Sequence, residues 1–134
     1  MIVLDEHLHD PVIMADISAW FPGQVIPVIN LRPGSQIKDD VIPTLLRKAV
    51  KPTFVTINVT DFWKKVRPHS DFCIITVAIL QEQVHEIPNL LRRLFRLPDF
   101  NTKALRMGKV IHVTQNHIEY YESDRRIYSL QWQD

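Results

Sequence analysis

The stretch Pro52-Thr-Phe-Val-Thr-Ile-Asn-Val-Thr-Asp-Phe-Trp63 decides the reading of this chain, because within it an apolar run passes into oxygen-bearing side chains. Phe54, Val55 and Ile57 are aromatic or β-branched and follow a proline, so 53–57 reads as a buried strand. Thr56, Asn58, Thr60 and Asp61 fall where that strand gives way to a turn, and Phe62-Trp63 would anchor the turn in the core. The first residues repeat the shape, with the apolar run Met1-Ile-Val-Leu4 ending in Asp5-Glu6. In a parallel α/β sheet, ligands collect at the carboxyl ends of strands, where loops and helix N-termini converge. Two strands that each end in acid therefore put the candidate site at one end of one sheet.

Outward from this stretch, strand and helix signals alternate. Asp10-Pro11 is a helix entry, with Asp10 as N-cap and Pro11 at the first helical position; the helix is predicted over 11–21 and stopped by Pro22-Gly23. Residues 24–29 read as a strand that Pro27 pushes to a sheet edge, and 30–36 as a loop. Asp39-Asp40 lead Val41, Ile42, Leu45, Leu46 and Ala49 at helical spacing, with Arg47 and Lys48 near the end, a charge order that suits the helix dipole. After 53–57 come a short helix near 61–66 and a loop through Asp71. Residues 72–80 are almost continuously apolar, as in a central strand covered on both faces. Residues 83–97 form an amphipathic helix with Arg92, Arg93 and Arg96 on the wet side. Segments 109–114, 117–122 and 126–132 alternate apolar and polar and read as antiparallel strands. The alternation up to Leu97 predicts an α/β sandwich with a mainly parallel sheet and a C-terminal antiparallel extension.

At 134 residues the chain is one domain, 1–134, with a core over 1–97 and a β extension over 109–132. Sixteen Lys and Arg against fifteen Asp and Glu leave a formal charge of +1, so binding to nucleic acid must come from a local patch. The single Cys73 lies within an apolar run and reads as a buried inert thiol, which fits a reducing cytoplasm. The apolar run ending near residue 80 is too short to span a bilayer, and the N-terminus shows no signal-peptide pattern, so no membrane is expected.

Asp5, with Glu6 beside it, an acid at the helix entry (Asp39 or Asp40), Asn58 and Asp61 meet at one end of the sheet if the strands are parallel and adjacent. Carboxylates brought together raise one another's pKa unless a cation neutralises them, and Mg²⁺ or Mn²⁺ suits oxygen ligands. Such an ion points to phosphodiester hydrolysis. The bland alternative is that Asp40 and Asp61 simply cap helices. His7 and His9 stand beside the acids and either assist proton transfer or lie idle in a loop. Lys64, Lys65 and Arg67 follow Asp61 closely enough to hold an RNA backbone, or form a solvated face. With three glycines, the chain has neither a phosphate loop nor a dinucleotide fingerprint.

The opening Ile2-Val-Leu-Asp-Glu-His-Leu8, the acid-led helix 39–49 and the strand end Phe54-Val-Thr-Ile-Asn-Val-Thr-Asp-Phe62 resemble the small PIN-like domains related to VapC toxins. The resemblance covers roughly residues 1–80. It implies a three-layer α/β/α PIN-like sandwich and a Mg²⁺- or Mn²⁺-dependent endoribonuclease, often the toxin of a toxin–antitoxin pair, with RNA as substrate, an antitoxin protein as partner and a homo-oligomeric state. Asp5 matches the family's first acid, Asp39 or Asp40 the helix acid, Thr56 the strand-end threonine and Asp61 the last acid. Asn58 stands where the family more often has Asp, and His7 replaces the common Asn. One fewer carboxylate weakens metal affinity, so the alternative is a catalytically silent relative that dimerises or binds a partner through the aromatic strip Tyr120, Tyr121, Tyr128 and Trp132.

Overall fold

The computed structural model describes residues 1–132; the last two residues of the expected 1–134 domain lie outside the described residues. Seven strands form one sheet: β1 (Ile2–Leu4), β2 (Val25–Pro27), β3 (Thr53–Thr56), β4 (Cys73–Val77), β5 (Val110–Val113), β6 (His117–Tyr121) and β7 (Tyr128–Gln131). Their order across the sheet is β2-β1-β3-β4-β5-β6-β7. The first five are parallel neighbours, and β5-β6-β7 pair antiparallel. As Pro27 predicts, β2 is an edge strand. The strand predicted over 109–114 corrects one expectation: β5 pairs parallel with β4 and belongs to the main sheet, so the antiparallel addition starts only at β6.

Side-chain alternation divides the core into two layers. On one face Ile2, Leu4, Val55, Ile75 and Val77 pack against α1 (Pro11–Ser18) and α4 (Ile87–Arg96) through Ile13, Ile17, Leu91 and Leu94. On the other face Val3, Phe54 and Ile74 pack against α2 (Ile42–Lys48) and the single turn α3 (Val59–Phe62) through Ile42, Leu46 and Phe62. Every residue of β4 is buried, as expected for a strand covered on both sides.

Local chemistry accounts for the helix ends. The Asp10 carboxylate caps α1 by accepting from the N–H groups of Val12 at 2.8 Å and Ile13 at 3.3 Å, with Pro11 in the first turn. The helix stops at Ser18, short of the expected residue 21, and Trp20 and Phe21 turn back onto the α4 residue Phe95 in edge-to-face contacts. The region predicted as helix from 39 begins as a 3₁₀ turn over Asp39–Val41 before α2. Likewise a 3₁₀ turn over Gln81–Glu86 precedes α4. The short helix expected near 61–66 starts earlier, at Val59, because Asn58 caps it. A fifth helical turn, α5 (Lys103–Arg106), capped by Thr102, lies between the predicted helix 83–97 and the predicted strand 109–114, where the sequence reading places no element. Cys73 is fully buried and its thiol pKa is pushed up to about 12 by that burial, which leaves it unreactive.

The crossovers are not uniform in hand. β3–β4 and β4–β5 step in the same direction across the sheet, yet α3 lies on one face and α4 on the other. The two connections therefore have opposite hands, an uncommon mixture given the strong right-handed preference of parallel crossovers. Its consequence is that α4 lies beside α1.

Phe54 sits at the centre of the second layer with its ring centroid 5.3 Å from that of Phe62. Phe54→Ala is expected to cost about 3–5 kcal/mol, read from urea unfolding midpoints at constant slope; a cost below about 1 kcal/mol would contradict this packing.

Candidate functional site at the carboxyl end of the sheet

The chain leaves β1 for one neighbour, β2, and later enters β3 on the opposite side of β1, so β1 and β3 bound the switch point where doubly wound sheets bind ligands. Asp5 and Asn58 stand just past these two strands. Asp5 is only 3% exposed. Its backbone N–H extends the β1–β3 ladder by donating to the Val55 carbonyl at 3.0 Å. One carboxylate oxygen accepts from the Glu6 N–H at 2.8 Å and the other from the Thr56 hydroxyl at 2.5 Å. Thr56 Oγ1 accepts in turn from the Asn58 N–H at 2.9 Å. A buried carboxylate is tolerated only with such donors, so Asp5 is held in one orientation.

Asn58 links the remaining acids. Its Oδ1 accepts from the N–H of Asp61 and the hydroxyl of Thr60, both at 3.3 Å. Its Nδ2 donates to Asp39 at 2.9 Å and to Asp61 at 2.8 Å, using both amide hydrogens on carboxylates. A neutral amide offsets two anions only in part. The Asp39 pKa is accordingly raised to about 6, through desolvation first, then hydrogen bonding with Asp61 and the charges of Asp5, Asp61 and Glu6.

Asp39, Asp40 and Asp61 open into a cleft of about 540 Å³ between α2 and the segment 65–72. The same cleft is also lined by Arg47, Lys65, Arg67 and His69. Asp5, Glu6 and His9 line a separate cleft of about 190 Å³, so Asp5 reaches the larger one only through Thr56 and Asn58. Lys64 faces a third cleft, of about 530 Å³, with Arg125 and Tyr121; Lys65 and Arg67 border both large clefts and form a basic ridge between them. Lys64 and Arg125 both adopt left-handed backbone angles, φ +62° and +61°, which is uncommon away from glycine.

Thr56, Asn58, Asp5 and Asp61 are joined in one hydrogen-bond chain, but Asp5 and Asp61 open into different clefts rather than a common one. Of the two helix-entry acids it is Asp39 that joins the network, while Asp40 is exposed at the cleft mouth without a hydrogen bond to the cluster among the described residues. Asp61 does not cap α3; Asn58 does. Glu6 and His7 are exposed and pair with each other at 3.7 Å. Arg47 and His69 join the cleft without a sequence signal for it: the pattern marks Arg47 only as a charge near a helix end, and His69 lies in a loop with nothing to single it out. The aromatic strip does not exist as one surface. Tyr121 points to the opposite sheet face, buried, with its hydroxyl on the Val66 carbonyl at 2.6 Å. Tyr120 stacks on Tyr128, and Arg93 covers Trp132.

Among the described residues no three His, Cys, Asp or Glu side chains stand together as a ready metal-binding group, and no helix is long and apolar enough to cross a membrane. No protein family, curated protein or solved structure matches the chain.

A carboxyl group whose pKa lies above its ordinary value of 3.8 binds more protons in the folded state than in the unfolded one, so stability is lost as pH rises from about 4 through about 6. In chelator-treated protein, urea midpoints are expected to fall across that window, and Asp39→Asn to flatten the fall and stabilise the fold at pH 7. An unchanged slope in the variant would show that Asp39 is not the titrating group.

Proposed function

We propose that this protein is a PIN-like endoribonuclease dependent on Mg²⁺ or Mn²⁺, acting as the toxin of a toxin–antitoxin pair. One observation carries the reading: a single cleft is lined by Asp39 and Asp61 together with Arg47, Lys65 and Arg67. Arginine and lysine are what a phosphate backbone needs for positioning, and paired acids are what a hard cation needs for binding.

The acids fit such an ion. Mg²⁺ is commonly held by one or two carboxylates and keeps several waters, so a preformed cage of three acids is not required. Asp39 and Asp61 would hold it, and the Asp39 pKa, raised first by desolvation and then by its acidic neighbours, is one that a bound cation would bring down. When bound, the ion supplies Lewis-acid stabilisation of the phosphoryl oxygens and an acidified water. The chain's own residues do the rest. Asn58 keeps the two carboxylates side by side, and Thr56 ties Asp5 to Asn58. Lys65 and Arg67, on the ridge bordering both large clefts, would neutralise successive phosphates, with Lys64 and Arg125 continuing the basic track beyond the ridge. Left-handed backbone at Lys64 and Arg125 is the kind of local strain that accompanies ligand contacts.

A second reading keeps the fold without turnover. Asn58 already bridges the carboxylates, and β7 is an edge strand that begins at exposed Tyr128 and is preceded by exposed Ile127, open to pairing with an antitoxin or a second copy. A cytoplasmic setting is part of the proposal and rests on the single unpaired Cys73.

Mn²⁺ is expected to raise the melting temperature of the wild type and to leave Asp61→Asn unshifted, with RNA cleavage at background in the variant. Equal cleavage by both proteins would eliminate the nuclease reading, and no thermal response in the wild type would favour the interaction module. Thr56→Val, which removes only the hydroxyl between Asp5 and Asn58, is expected to weaken Mn²⁺ binding about 10- to 100-fold, measured by titration calorimetry. Unaltered affinity would mean that the Asp5–Thr56 link plays no part in the site.

A further inference from the structure

At the amino-terminal end of the sheet, opposite the acids, the end of α1 and the second half of α4 enclose a cleft of about 360 Å³. Trp20, Phe21 and Phe95 give it aromatic walls, and Arg92, Arg96 and Arg106 give it three guanidinium groups. Arg92 and Arg96 stand one helical turn apart, where like charges repel. Among the described residues none of the three arginines is ion-paired to a carboxylate. Arg106 is only 8% exposed, and its guanidinium carbon lies 4.1 Å from the centre of the Phe95 ring. Nη1 of Arg106 donates to the Phe100 carbonyl at 2.9 Å, whereas its Nε and the Trp20 indole N–H are buried with no acceptor. Buried donors without partners are rare and call for an explanation.

We propose that this cleft binds a nucleoside monophosphate, with the phosphate on Arg92, Arg96 and Arg106 and the base against Trp20 and Phe21. Guanidinium forks match phosphate oxygens in geometry and charge, and any base can stack on an aromatic face. The volume is at the small end of ligand pockets, about 300–1,000 Å³, which suits one nucleotide rather than a strand. Two sources share this chemistry, a free nucleotide and the 5′-phosphorylated end of an RNA. The site is built from residues that the proposed nuclease does not use, and stands or falls without it.

Titration calorimetry of the full chain with AMP, inorganic phosphate and adenosine tests the assignment. AMP is expected to bind saturably and at least about tenfold more tightly than phosphate or adenosine. The double variant Arg92→Gln/Arg96→Gln, both positions exposed, is expected to melt like the wild type and to lose at least about tenfold in AMP affinity. AMP is also expected to quench tryptophan fluorescence in the wild type and not in Trp20→Phe, while Asp61→Asn binds AMP normally. The proposal is overturned by no AMP binding at millimolar concentration, by phosphate binding as tightly as AMP, by undiminished binding in the double variant, or by loss of binding in Asp61→Asn. A 5′-phosphorylated dinucleotide that binds more tightly than AMP supports the proposal and assigns an RNA end; one that binds more weakly supports it and assigns the free nucleotide.

Discussion

Parallel pairing of β1 with β3, closed at its carboxyl end by the Thr56 hydroxyl on the buried Asp5 carboxylate, is the constraint on which the candidate site depends. It joins residues 51 positions apart in the chain. The β1–β3 ladder continues one residue past β1, so the Asp5 side chain is oriented by backbone hydrogen bonding as well as by its own partners. Thr56 then passes this order to Asn58, and Asn58 to Asp39 and Asp61. Three stretches of chain, at Asp5, Asp39 and 56–61, meet at the sheet end that this strand pair defines.

That convergence accumulates charge. At Asp39, desolvation first and then the neighbouring carboxylates disfavour ionisation, and the Asn58 amide supplies two hydrogen bonds but no positive charge. Asp39 carries the consequence as a raised pKa. The acid cluster is held together by an amide, and the cleft it opens into also carries Arg47, Lys65 and Arg67.

The opposite end of the sheet is cationic and aromatic, and topology explains why. Because the β4–β5 crossover has the opposite hand from β3–β4, α4 lies beside α1, and Trp20 and Phe21 close against Phe95. Arg92 and Arg96, which a helical wheel assigns to solvent, thereby border a cleft to which Arg106 also contributes. Amphipathic pattern alone describes them as a wet face; the neighbour that makes them a cleft comes from a different part of the chain.

Much of the fold was legible because its signals are local. Phe54, Val55 and the run at Cys73–Val77 have the β-branched and aromatic composition of buried strands, Pro27 forces its strand to the edge, and Asp10-Pro11 starts a helix. The two strand-end acids were legible for the same reason, since a polar residue after a short apolar run marks where a strand stops. What the local pattern could not settle was which of Asp39 and Asp40 faces Asn58, that Arg47 and His69 line the same cleft as the acids, or that Tyr120 and Tyr121 part to opposite faces. Adjacent residues differ there only in the direction a side chain takes from a fixed backbone, and that direction is decided by strand order and helix docking. By itself, then, the sequence determined the elements and the acids at their ends, because propensity and periodicity act over a few residues. Tertiary structure alone decided which charges meet, because hydrogen bonds of about 3 Å between distant segments depend on how the whole sheet is wound.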